Sequence, residues 1–216
     1  MITRFWFGNR REGLTAEAFS DHWFHTHAAF GLALPGLRAY VQNPRDLDAP
    51  PGWAPPFDGC SELDFDSVDA MASAFDSPAI VAADVDEREF ADPDRYVVAA
   101  TERQVWYGGE VADPPVRVLH LLRAAAGVDA ATLLPAVLAA DGVAAARQTG
   151  ALRAEALPAV EVPGVPRTVD LVLSLWFGSA AGALAAVPAW SDRIAADTAG
   201  LVLGRELALV RPRRLR

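Results

Sequence analysis

The chain has 216 residues, 52% of them hydrophobic, with 28 acidic against 19 basic residues and a formal net charge of -9. A surface of that sign repels nucleic acid, and no run reaches the roughly 18 apolar residues a membrane-spanning helix needs. The absence of lysine removes Schiff-base chemistry and the usual anchor of pyridoxal phosphate. With Cys60 as the only cysteine and no signal-peptide pattern at the N-terminus, the expected compartment is the cytoplasm.

Residues 2 to 7, ITRFWF, predict a strand, and GNRREG a polar turn. Thr15 caps a helix expected from about Ala16 to Leu32, with Glu17 in its first turn. Phe19, Trp23, His27 and Phe30 make its apolar stripe, and His22 lies on the shoulder. Pro35-Gly36 turns the chain into a second strand, LRAYV. Residues 43 to 59 hold five prolines and two glycines, a loop long enough to be a lid or a substrate wall. Trp53 and Phe57 within it are placed to cover a cavity mouth or pack on a partner. Cys60 to Phe65 predicts a third strand, and Ser67 caps a helix over Val68 to Phe75. Ser77-Pro78 opens another helical piece, expected to stop near Val85. A turn is expected over Phe90 to Pro93, then a fourth strand within Tyr96 to Val105. Pro114-Pro115 marks a boundary, giving domains 1–110 and 111–216.

The second part repeats the order. Gly127 and Leu133 each stand 114 residues after their counterparts Gly13 and Phe19. Val116 to Leu122 predicts a strand, Asp129 a helix cap, and Gly142 to Leu152 a strand-like stretch. Val169 to Phe177 and Leu201 to Val210 predict the last strands, with Ser179 capping the helix between them and Pro188 opening a further helical piece. The arginines from Arg211 to Arg216 read as a solvated end. The fold class is therefore α+β: tandem ferredoxin-like β-α-β-β-α-β repeats whose antiparallel sheets pack as an α+β barrel. Closure within one chain is favoured over pairing in a homodimer, because the second unit is already tethered.

The run Leu14-Thr15-x-Glu17-x-Phe19-x-x-His22-Trp23-x-x-x-His27, followed by Pro35-Gly36-Leu37-x-x-Tyr40, resembles the EthD family of dimeric α+β barrel proteins. Phe75-x-Ser77-Pro78 and Phe90-x-Asp92 are similar to that family's later segments, so the resemblance spans about residues 3 to 107. The second part resembles the same fold more weakly and has Ala136 and Asp141 where His22 and His27 would repeat. The resemblance implies a single site in the first part. Its wider superfamily includes cofactor-free monooxygenases, polyketide cyclases, dehydratases, decarboxylases and haem-handling enzymes, and fold does not choose among them.

His27 is the leading candidate base. Beside Phe19, Trp23 and Phe30 its imidazole is desolvated and held neutral; a core histidine bonded to a carbonyl is the alternative. His22 lies roughly 140° from it round a regular helix, which argues against joint metal ligation. His25 is expected in solvent. Tyr40 is a candidate proton donor, and His120, in the strand VRVLHLLR, meets substrate if its face points into the barrel. Asn43 is placed to orient a polar group, and Cys60 reads as structural. No G-x-G-x-x-G, phosphate loop or G-x-S-x-G elbow occurs. The expected function is cofactor-independent acid/base chemistry of the lyase type (cyclisation, dehydration or decarboxylation) on a small apolar carbonyl or phenolic compound. A cofactor-free monooxygenase and a non-catalytic binding or structural protein are the alternatives. No cofactor, metal, nucleic acid or membrane partner is expected.

Overall fold

The computed structural model describes all residues except 54, 112–115, 140, 164, 166 and 167, and the side chains of 130 and 139. The expected boundary at Pro114-Pro115 lies outside the described residues. The first part runs β1 (Ile2–Arg10), α1 (Ala16–His22), a π-helical turn (Trp23–His27), α2 (Ala28–Leu32), β2 (Ala39–Pro44) and β3 (Gly59–Phe65). It continues with α3 (Val68–Phe75), α4 (Pro78–Phe90), β4 (Ala91–Glu102) and β5 (Gln104–Tyr107). The second part runs β6 (Val116–Ala124), α5 (Ala130–Ala139), α6 (Gly142–Gln148), β7 (Arg153–Pro158), β8 (Leu171–Phe177), α7 (Ala180–Asp197), β9 (Val202–Val210) and β10 (Arg213–Arg214).

Alternation sorts each strand's side chains between two layers. On β1, Phe5 and Phe7 face the second sheet, stacked at 5.4 Å. Trp6, between them in sequence, faces the helices and packs with Phe19, Trp23 and Phe90. On β6, Leu119 and Leu121 join Phe5 and Phe7 in the shared inter-sheet core. Val118 and Leu122 face α5 and α7. The order is helices, sheet, sheet, helices.

The strands form two separate five-stranded antiparallel sheets, β10-β2-β3-β1-β4 and β5-β7-β8-β6-β9. This corrects the expected barrel. Closure needs ladders along the seams, and among the described residues only single bridges occur there, Arg45 with Val210 and Thr101 with Ala159. The remaining edges are occupied otherwise: β10 pairs with β2, and β5 crosses to pair with β7. Arg213–Arg214 thus add a short edge strand to the first sheet, while Arg211, Arg214 and Arg216 stay exposed. Arg211 pairs with Asp46 at 2.9 Å, Arg214 with Glu110, and Arg213 lies over the Phe24 ring.

Other expectations shift for local reasons. The stretch expected as strand over Gly142 to Leu152 forms α6 instead, because Ala144–Ala146 and Arg147 are strong helix formers. α7 runs unbroken through Pro188. α4 continues five residues past Val85, to Phe90. The proline-rich loop seats Phe57 in the inter-sheet core, 5.2 Å from Phe7, while Trp53 packs on the second part's core. Among the described residues, no helix is long and apolar enough to cross a membrane.

Candidate functional site

The hydroxyl of Thr15 accepts the N–H of Ala18 at 3.1 Å and starts α1 as expected. The regular helix then widens. The N–H of Ala28 reaches back to the carbonyl of Trp23, five residues earlier, and residues 23 to 27 form a π turn. Inside a π turn, residues five apart come nearly one above the other. That corrects the angle expected between His22 and His27, which was drawn for 3.6 residues per turn. A buried amide holds the turn from the sheet side. Gln42 Nε2, on β2, donates to the Trp23 carbonyl at 2.8 Å and to the Tyr40 hydroxyl at 3.0 Å.

The widened turn lines both imidazoles up on one carboxylate. Asp86 Oδ2 lies 2.9 Å from His27 Nδ1, and Asp86 Oδ1 lies 3.1 Å from His22 Nε2. A carboxylate only accepts, so each bonded ring nitrogen donates. The ring of Phe90 packs against both imidazoles, 4.8 Å from His27 and 5.1 Å from His22. Burial lowers the His27 pKa below its ordinary value, and the hydrogen bond and charge of Asp86 offset only part of that. The neutral imidazole of His27 is therefore favoured at neutral pH. The His27 side chain is 13% exposed and that of His22 30%, so the pair reaches solvent through His22.

Asp86 and Phe90 were not legible as site residues, because the helix was expected to stop at Val85. The signal was present in DVDEREF: one further helical turn carries Asp86 and Phe90, four apart, onto one face. Trp6 fastens the same helix to the sheet, its indole N–H donating to Glu87 at 3.1 Å. Burial raises the Glu87 carboxyl pKa.

The other sequence candidates lie apart from this unit. His25 is 66% exposed and sits 3.5 Å from Asp21. Tyr40 is buried between sheet and helices, with burial raising its hydroxyl to about 12 against the hydrogen bonds from Gln42 and Trp23. His120 occupies in β6 the place Trp6 has in β1, facing α7 rather than the inter-sheet space, with its ring 5.5 Å from Trp190. Asn43 donates to Glu62 at 2.8 Å. Cys60 is buried in the inter-sheet core, and desolvation pushes its thiol up. Among the described residues, no group of three or more His, Cys, Asp and Glu is arranged to hold a metal ion.

Two clefts open at the ends of the inter-sheet layer. One, of about 500 Å³, is lined by Phe7, Phe57, Leu121 and Val169. The other, of about 400 Å³, is lined by Glu62, Asp64, Arg103 and Glu155. Both lie on the sheet face opposite to His27. Between them the layer is filled by side chains, including the fully buried Arg117.

Replacing Gln42 with Leu leaves the Tyr40 hydroxyl and the Trp23 carbonyl without this donor. The expected loss is about 1–3 kcal/mol of unfolding free energy. Urea denaturation measures it, and an unchanged midpoint would show that the amide does not hold the turn.

The EthD domain family profile matches residues 11–94. The match covers less than half of the chain and is narrower than the resemblance over residues 3 to 107. No curated protein matches the sequence. Solved structures match the fold over nearly the whole chain. An anthrone oxidase-like protein aligns at 12% identity and TM-score 0.66, covering 99% of this chain and 92% of its own. A candidate monooxygenase from Fusobacterium nucleatum subsp. nucleatum aligns at 10% identity and TM-score 0.60, covering 99% and 93%. A mutant chlorite dismutase from Candidatus Nitrospira defluvii aligns at 10% identity and TM-score 0.56, covering 97% and 90%. At these identities the likeness is one of fold. These three carry oxidase, monooxygenase and dismutase names, and none is named for cyclisation, dehydration or decarboxylation.

Proposed function

We propose that the chain is an enzyme that oxidises a small, electron-rich phenolic or carbonyl compound with dioxygen, using His27 and His22 to move protons. The observation that carries this reading is the alignment of two imidazoles on Asp86 by a π turn, a rare helical distortion that concentrates at functional sites. The oxidase and monooxygenase names among the fold relatives support oxidation over lyase chemistry.

In this reading Asp86 fixes the tautomers, as the carboxylate of a catalytic triad does for its histidine. Nε2 of His27 takes a proton from an activated methylene or a phenolic hydroxyl of the substrate. The carbanion or phenolate so formed is electron-rich enough to react with dioxygen. For a methylene flanked by aromatic rings the balance is CH2 + O2 → C=O + H2O: the carbon gains one oxygen, and the other leaves as water with both hydrogens. His27 returns its proton to the departing oxygen. His22, at the solvent side, exchanges protons with water through its own contact to Asp86.

The test is oxygen uptake with anthrone as probe, corrected for uncatalysed autoxidation, together with appearance of anthraquinone. The expected result is saturable uptake that His27→Ala abolishes while circular dichroism stays native. Uptake no faster than autoxidation across a panel of anthrones and naphthols would overturn the oxidase reading.

A further inference from the structure

His120 is 1% exposed, and among the described residues neither of its ring nitrogens has a hydrogen-bond partner. The indole Nε1 of Trp190, whose ring meets His120 edge-on at 5.5 Å, is also buried without an acceptor. Three unanswered polar atoms in one contact are costly, since each forfeits its water without a replacement. Protein interiors satisfy the large majority of such groups, and a cluster of exceptions calls for a reason. Desolvation and the charge of Arg205 hold the His120 pKa at about 3, so the ring is a neutral imidazole offering one donor and one acceptor.

Of the two residues, His120 alone borders open space. His120 forms part of the wall of a cleft of about 470 Å³ between α7 and β9, with Ser191, Asp192 and Arg205 among its lining residues. The strand β9 is the outer edge of its sheet, so the cleft opens along an edge that no other strand covers among the described residues. The cleft is separate from the His22–Asp86–His27 unit, which sits on the helices of the other sheet.

We infer that this cleft is a second small-molecule site, taking a compact hydroxyl-bearing aromatic such as a phenol, whose hydroxyl reaches His120. A hydroxyl suits a neutral imidazole: it can donate to the unprotonated nitrogen or accept from the N–H, which no purely apolar ligand does. The apolar part of the ligand rests on Val202, Leu203 and Leu207, which line the same cleft. The cleft carries both signs, Arg205 against Asp192 and Glu206, so the hydroxyl and not net charge sets the preference.

Phenol is the probe, with benzene as its hydroxyl-free control. The full-length protein, labelled with 15N in histidine and tryptophan, is titrated while the His120 ring nitrogens and the Trp190 indole N–H are followed. With four histidines and six tryptophans, these signals are assignable by substitution. Saturable shifts of both residues by phenol are expected, with benzene at least about tenfold weaker. His120→Phe should weaken phenol binding by a similar factor while keeping the fold; His120→Gln serves if the Phe variant does not fold. Signals that phenol leaves unmoved, equal affinity for phenol and benzene, or undiminished binding in the variant would each overturn the site. A resident water as the only partner of His120, seen as a water cross-peak that phenol does not displace, would do the same.

Discussion

Replacing Asp86 with Asn lowers turnover by roughly 10³–10⁴-fold while leaving the fold and its stability nearly unchanged. Asn is isosteric, but its amide presents one acceptor and one donor where Asp86 presents two acceptors to His27 and His22. One imidazole must then turn its lone pair inward and loses its role as a base, and a wrong tautomer in a comparable triad costs about that factor. The pH profile separates this role from mere packing. The acid limb of kcat/KM follows protonation of His27, which burial already places below the ordinary histidine value. Asp86 pulls that value up through its hydrogen bond and charge, so removing the carboxylate moves the limb to lower pH. A variant with parental turnover, or with the limb unmoved, would remove Asp86 from the proton path. Phe90, packed against both rings, keeps their positions in the variant, so the loss is one of protonation and not of placement.

The local signals of the chain were legible where a residue acts on its own neighbourhood. Thr15, Ser67 and Ser179 cap their helices, each accepting from the backbone N–H three residues on. The strands of the first repeat followed from apolar alternation and turn residues, whereas in the second the strand expected over Gly142 to Leu152 lies at Arg153–Pro158. The π turn was not legible, because nothing in DHWFHTH distinguishes it from a regular helix. Its stabilising amide, Gln42, is 19 residues away on a strand. The same distance effect hid the site: His22 and His27 meet only through Asp86, 64 and 59 residues later. The barrel expectation failed for a related reason. Two sheets with matching apolar faces were expected to close, but β5 and the arginine tail supply the edge strands, and the pairing of short distant segments leaves little local trace.

Arg117 sets the second large effect. It is fully buried between the sheets, yet it is a charge. Its guanidinium meets Glu62, lies 3.4 Å from Glu155, donates to Ser174 at 2.6 Å and stacks on Trp176 at 4.3 Å. Arg103 joins the same carboxylates at 3.0 and 2.9 Å. Arg117→Met keeps most of the volume but strands two buried carboxylates on the remaining cations. Breaking such a pair costs about 3–5 kcal/mol, which for a chain of this size lowers Tm by roughly 6–20 °C. Adding Glu62→Gln to Arg117→Met should recover part of the loss, because the orphaned charge then leaves with its partner. Acid makes the same point. Burial alone would raise the pKa of Glu155, but Arg103, Arg117 and Arg153 outweigh it and hold the group at about 2. A carboxylate depressed in the folded state adds stability above its unfolded pKa, near 4.3, and loses it as pH falls toward its folded value. The parent protein therefore loses this contribution between about pH 4.5 and 2. With Arg117 gone, the folded pKa of Glu155 rises, less stability is present at neutral pH, and the acid loss is shallower. Denaturant midpoints from pH 7 to 2.5 read this directly: parallel curves for parent and Arg117→Met would show that Arg117 does not hold Glu155 ionised.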